Sequence, residues 1–204
     1  MTLRKFHALS AILIVAFMCL HIANHLAGLA GVGTHIAFMQ AARSLYRFPA
    51  VEVVLIGAFT LQLASGLALA VRGWKRRQGA VAWLQAISGM YLSFFVVVHV
   101  GSILFGRAAL NLDTNFYFAA AGLHVAPFQF FFAPYYFFGV VALFTHLGCA
   151  AYWHAQSRSP TAHSLVLAIP IAIGLAVSLL IVLSLAGALY PVDIPARYQA
   201  TYRL

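Results

Sequence analysis

Two histidines one turn apart, His21 and His25 in "LHIANHLAGL", stand inside an apolar run long enough to be a membrane helix. An imidazole in hydrocarbon is costly and marks a functional position by default. A second apolar run, "SFFVVVHVGSILF", carries His99, and a third, "VALFTHLGCAAYW", carries His146. Imidazole nitrogens bind metals, and a pair on facing helices can hold a haem iron from both sides of the ring plane. A lone buried imidazole has a plainer reading, a hydrogen bond to a neighbouring helix.

The elements that must position these residues follow from composition. Of 204 residues, 64% are hydrophobic and 7% charged, and the mean hydropathy is +0.94. A soluble domain of this size needs far more charge to cover its surface. The expected fold class is therefore an all-α integral membrane protein, one five-helix bundle over residues 1–204. Crossing the hydrocarbon takes about 20 mostly apolar residues. The stretches that qualify are about 8–30, 50–72, 82–106, 131–154 and 164–190. The start resembles a signal peptide, but the apolar run continues to about Ala30, so it reads as a retained first helix.

Three acids, Glu52, Asp113 and Asp193, face twelve Lys plus Arg, for a net charge of +9. The basic residues sit in short connections rather than on one stripe, which argues for topology signals and lipid headgroup contact and against nucleic acid. With the N-terminus inside, seven of them (Arg4, Lys5, Arg72, Lys75, Arg76, Arg77 and Arg158) fall inside and five (Arg43, Arg47, Arg107, Arg197 and Arg203) outside. That favours N-in and C-out, and an integral protein of the bacterial inner membrane is expected. Cys19 and Cys149 form no haem-attachment or zinc motif, so any haem is held non-covalently.

Depth can be counted. His25 and His99 each lie 17 residues into an outward-running segment, which puts both about 25 Å above the inner boundary at 1.5 Å per residue. A depth-matched pair on different helices suits a bis-histidine haem b. His146 falls in the inner leaflet, where the second segment offers Gln62 and Ser65 but no histidine. It reads as a structural hydrogen-bonder, a quinone contact, or an iron ligand with some other partner. His21 is on nearly the same face as His25, as a supporting group or a replacement ligand. His7, His35, His124, His154 and His163 fall in loops or at helix ends and read as unremarkable. Gly28 and Gly31 after His25, and Ser88 and Gly89 before His99, leave room for a flat ring or a close helix. The aromatic connection "RAALNLDTNFYFAAAGLHVAPFQFFFAPYYFF" reads as an interfacial belt with a short helix on the membrane, the alternative being a lid over an apolar site.

Over residues 15 to 155 the order of these features resembles the five-helix, two-haem cytochrome b membrane-anchor subunit of succinate dehydrogenases and fumarate reductases. The pattern runs through "NHLAGL", "THIAFMQAARSLYRFPAVEVVLI", "LQLASGLALA", "WLQAISGMYLSFFVVVHV" and "FFGVVALFTHLGCAAYW". The resemblance implies electron relay between a flavoprotein and iron–sulfur pair and quinone. It assigns the outer haem to His25 and His99 and one ligand of the inner haem to His146. The remaining inner ligand falls on Gln62, a poor iron ligand, and Ala86 stands where similar subunits often carry arginine. Arg43, Arg47 and Arg107 are available to pair with haem propionates. The expectation is a quinone-linked b-type cytochrome with one haem, or two if His146 finds a partner, acting as an electron-transfer subunit rather than a self-sufficient enzyme. The alternatives are a haem-free anchor that docks a soluble partner through "RGWKRRQG", and a quinone- or lipid-binding membrane protein.

Overall fold

The computed structural model describes residues 2–155 and 159–202. Arg158 and Arg203, counted above for topology, lie outside the described residues. Eight α-helices follow in order: α1 (Leu3–Ala27), α2 (Val32–Tyr46), α3 (Pro49–Gly73), α4 (Ala80–Ala108), α5 (Phe116–Ala120), α6 (Gln129–His154), α7 (Pro160–Leu185) and α8 (Ala196–Gln199). Five of them, α1, α3, α4, α6 and α7, are long and apolar enough to cross a membrane. The end of the bundle where α1 begins is called proximal, and the other end distal.

The helix ends follow local chemistry. Thr2 caps α1, its hydroxyl accepting from the Lys5 amide at 3.4 Å, while Pro49 and Pro160 occupy first-turn positions where no amide donor is missed. The last long helix is Pro160–Leu185 rather than the expected 164–190, because a turn with Gly187 at φ +72° stops it. A larger difference lies in the first connection. Gly31 at φ +114° reverses the chain, and residues expected to form a loop fold instead as α2.

Packing is closest between α6 and α7 and between α4 and α6. The α1–α3 and α3–α4 pairs also pack, whereas α1 against α4 and α1 against α6 are not among the closely packed pairs. Small residues allow the tight pairs. An added Cβ on Gly174 would lie 2.5 Å from Phe144, and the Ser178 hydroxyl donates to the Phe137 carbonyl at 2.7 Å. The buried apolar cluster is at the distal end and contains Phe116, Leu185, Ile194 and Tyr198. Elsewhere large apolar side chains such as Val53 (70% exposed) and Ile12 (67%) point outward, the inverse of a soluble fold and suited to lipid.

The aromatic connection divides in two. Phe128, Phe130 and Phe131 are exposed, as a belt requires. The short helix α5 is not on the surface: Phe116 and Ala120 are wholly buried. Asn115 caps it, accepting from the Tyr117 amide at 3.0 Å, and α5 closes the distal end of the bundle.

Candidate functional site

An α-helix repeats its facing direction after 18 residues, five full turns. His7 and His25 have that spacing, and His21 lies one turn from His25, so α1 lines up three imidazoles on one face. The face looks onto a cavity of about 1420 Å³ between α1, α3, α4 and α6, which reaches from the basic proximal rim to α5. Single-ligand pockets measure about 300–1,000 Å³, so the space exceeds that of one small ligand.

The distal half holds four imidazoles. The His21 ring stands 4.8 Å from His25 and 5.9 Å from His99, and His25 stands 5.2 Å from His35. No ring contact joins His25 to His99 among the described residues. Phe17 stacks on His21 at 5.6 Å and Phe95 on His99 at 5.1 Å, so phenyl rings orient these imidazoles. The nitrogens of His21, His25 and His99 have no protein hydrogen-bond partner among the described residues. That leaves strong acceptors and donors pointing into a low-dielectric space, which is costly unless a ligand takes them up.

His35 was expected to be an unremarkable loop residue, and here the structure corrects the reading. It is 3% exposed, in the first turn of α2. The Asn24 side-chain amide donates to its Nε2 at 3.2 Å, while its buried Nδ1 and Asn24 Oδ1 lack partners among the described residues. Burial, helped by His21 and Arg43, lowers its pKa from 6.5 to about 4, so it is neutral at physiological pH. Gly28 makes the space: a Cβ there would lie 3.5 Å from the His35 ring and 3.3 Å from the Ser184 hydroxyl.

The arginines named as propionate partners are not equivalent. Arg43 bonds Asp113 at 2.6 Å and the Thr114 carbonyl at 2.9 Å. Arg107 forms a two-pronged pair with Glu52. The Arg47 side chain, close to both, has no hydrogen bond or salt bridge among the described residues. Burial and the neighbouring Arg107 and Arg43 cations push its pKa down. All three line the cavity, but Arg47 is the cation still available to a carboxylate.

The proximal half holds His146 and His7. His146 Nδ1–H donates to the Gln85 carbonyl at 3.0 Å, which leaves Nε2 towards the cavity. Gln62 is not beside His146 as a ligand substitute. It donates its side-chain amide to His7 Nε2 at 3.0 Å and accepts from the Ser10 hydroxyl at 2.5 Å. Gly89 serves this half rather than the His99 site, since an added Cβ would lie 2.9 Å from the His146 ring. Ala86 is buried on α4.

His7 and His35 are thus the residues that sequence reasoning missed. The 18-residue spacing of His7 from His25 could have exposed the first. Nothing local marks the second, because α2 must fold back before His35 meets α1. His124 and His163 behave as expected, donating to the carbonyls of Leu185 and Tyr152 at 2.9 and 3.0 Å. Among the described residues no three His, Cys, Asp or Glu side chains converge on a bare metal ion. The imidazoles form a row, not a cage. Comparison of the chain with protein-family models, curated proteins and solved structures found no match.

Proposed function

We propose that the protein is a membrane cytochrome b that binds haem non-covalently in this cavity and passes electrons between quinone and a soluble redox partner. The observation that carries the reading is the cavity itself: imidazoles on α1 and α4 stand across it with no hydrogen-bond partners for their nitrogens among the described residues. His99 on α4, with an imidazole of α1, would hold the iron through ring nitrogens. The residues fit the group. His99 is the α4 ligand. On α1 the sequence pointed to His25, and the 5.9 Å spacing favours His21 instead, with His25 linking it to His35.

When bound, haem supplies one-electron chemistry, with its potential set by the axial ligands, hydrogen bonds and burial. The chain's own residues do the rest. Phe17 and Phe95 hold the imidazole planes, and Arg47, which lines the cavity, offers donors to propionates. The helix wall excludes water and keeps the local dielectric low. Quinone is the expected membrane-soluble partner, and a flavoprotein with an iron–sulfur subunit the expected soluble one. An N-in, C-out topology in a bacterial inner membrane puts the basic rim of Arg4, Lys5, Arg72 and Arg76 on the cytoplasmic side. That rim also supports a second reading, a haem-free anchor whose basic face docks a soluble protein.

The test is the dithionite-reduced-minus-oxidised spectrum of the detergent-solubilised chain with haem quantified, made where haem is in supply. A low-spin bis-histidine signal that His99→Ala removes is expected. Its loss in His21→Ala but not in His25→Ala assigns the α1 ligand to His21, and the reverse assigns it to His25. Absence of any haem overturns the cytochrome reading and leaves the anchor.

A further inference from the structure

We propose that the proximal rim is a binding site for an anionic phospholipid, with its phosphate on Arg72, Lys75 and Arg76 and an acyl chain along the outer face of α3. The proposal stands apart from the cytochrome reading. A soluble protein is the rival occupant of the same rim.

Charge comes first. The chain has three acids, and all of them stand at the distal end: Glu52 in the first turn of α3, Asp113 on Arg43, and Asp193 beyond the end of α7. The proximal end carries Arg4, Lys5, Arg72, Lys75, Arg76 and Arg77 without one carboxylate. Arg77 is occupied. Its guanidinium lies 5.5 Å from the Trp74 ring centre and 5.3 Å from that of Trp83, and it donates to the Ala70 carbonyl at 3.3 Å. The other five residues are exposed, and their side chains have no hydrogen bond or salt bridge among the described residues. Such a surplus attracts an external anion.

Depth comes second, and it separates a lipid from a soluble partner. The chain contains three tryptophans, Trp74, Trp83 and Trp153, and all of them stand at this end. Tryptophan settles at headgroup level, where its ring meets hydrocarbon and its N–H finds a polar partner. Trp74 and Trp153 are exposed, and Trp153 Nε1–H donates to the Gln85 side-chain oxygen at 2.7 Å. Arg72, Lys75 and Arg76 lie within two residues of Trp74 and share its level. They are therefore among the headgroups, where a lipid phosphate resides, rather than above them.

Shape comes third. Leu67 and Val71 are one turn apart on α3, and one turn further on the chain reaches Trp74 and Lys75. Leu67 is exposed and Val71 is 74% exposed. An outward apolar stripe headed by an indole and then by cations matches a phospholipid part by part: acyl chain, ester region and phosphate.

The experiment uses the three tryptophans as reporters. The purified full chain is placed in phosphatidylcholine bilayers containing the same minor fraction of brominated phosphatidylglycerol or of brominated phosphatidylcholine, and the quenching of tryptophan fluorescence is compared. A single cation at a headgroup favours an anionic lipid roughly fivefold, so the anionic quencher should act well beyond the neutral one. Joint Arg72→Gln, Lys75→Gln and Arg76→Gln substitution should make the two equal, whereas Arg197→Gln at the distal end should leave the excess. Arg72→Lys with Arg76→Lys guards against misfolding: it keeps the charge and should keep the excess. Equal quenching by both lipids in the wild type overturns the proposal and leaves the rim to a soluble protein. An excess that survives the triple substitution also overturns it. Neither result depends on haem content, so this proposal and the cytochrome reading fail separately.

Discussion

The two halves of the cavity hold their imidazoles by different means. In the proximal half, His7 is pinned between the Ser65 hydroxyl and the Gln62 amide, and His146 by donating to the Gln85 carbonyl. In the distal half, His21, His25 and His99 are oriented by phenyl rings and by one another. The ends differ too. A buried cluster around Phe116 and Tyr198 closes the distal end, whereas the proximal end opens onto a basic rim. Buried imidazoles are equally expensive in both places. The fold offsets the cost locally in the proximal half, whereas in the distal half no hydrogen bond to His21, His25 or His99 offsets it among the described residues. Sequence position alone does not distinguish these situations.

The largest effect that would break this contrast is removal of the distal closure. Phe116 is fully buried and meets His35 at 5.2 Å. Phe116→Ala should cost about 3–5 kcal/mol of stability, read as a lower thermal midpoint in detergent. An unchanged midpoint would mean that α5 is not a closure of the distal end.

A smaller effect sharpens the contrast through two glycines. An added Cβ on Gly139 would lie 2.4 Å from Phe95, which stacks on His99. On the proposed cytochrome reading, Gly139→Ala should therefore broaden or shift the bis-histidine signal, whereas Gly89→Ala, which crowds His146, should leave it unchanged. If both substitutions alter it, the assignment of glycines to halves is wrong.

The smallest effect is in pH. His35 takes up its proton near 4 in the folded chain and near 6.5 when exposed. Between those values the unfolded chain binds more protons, so the contribution of His35 is complete above 6.5 and is lost as pH falls towards 4. Thermal midpoints measured across that window should fall less steeply in His35→Phe than in the wild type. Identical slopes would show that His35 is hydrated in the folded protein.

Much of the fold was legible because hydropathy is a local property. Five apolar stretches became five long helices, displaced at their ends by a few residues where Thr2, Pro49, Pro160 and Gly187 set the boundaries. That His21, His25, His99 and His146 lie inside long apolar helices was legible from the hydropathy pattern. The roles of His7 and His35 were not, since one sat too near a helix start to look buried and the other lay in an apparent loop. Gln62 stood out as an anomaly, but its bond to His7 depends on α1 and α3 lying side by side.

The sequence by itself determined a membrane protein with spanning helices, a basic rim and histidines at two depths, because burial of apolar surface and placement of charge are settled residue by residue against the solvent. Only the tertiary structure decided which histidines meet. Ring contacts arise between residues far apart in the chain, and they depend on helix rotation, on α2 folding back at Gly31 and on glycines that admit a ring. A one-dimensional pattern cannot state any of these, because each is a property of two helices at once.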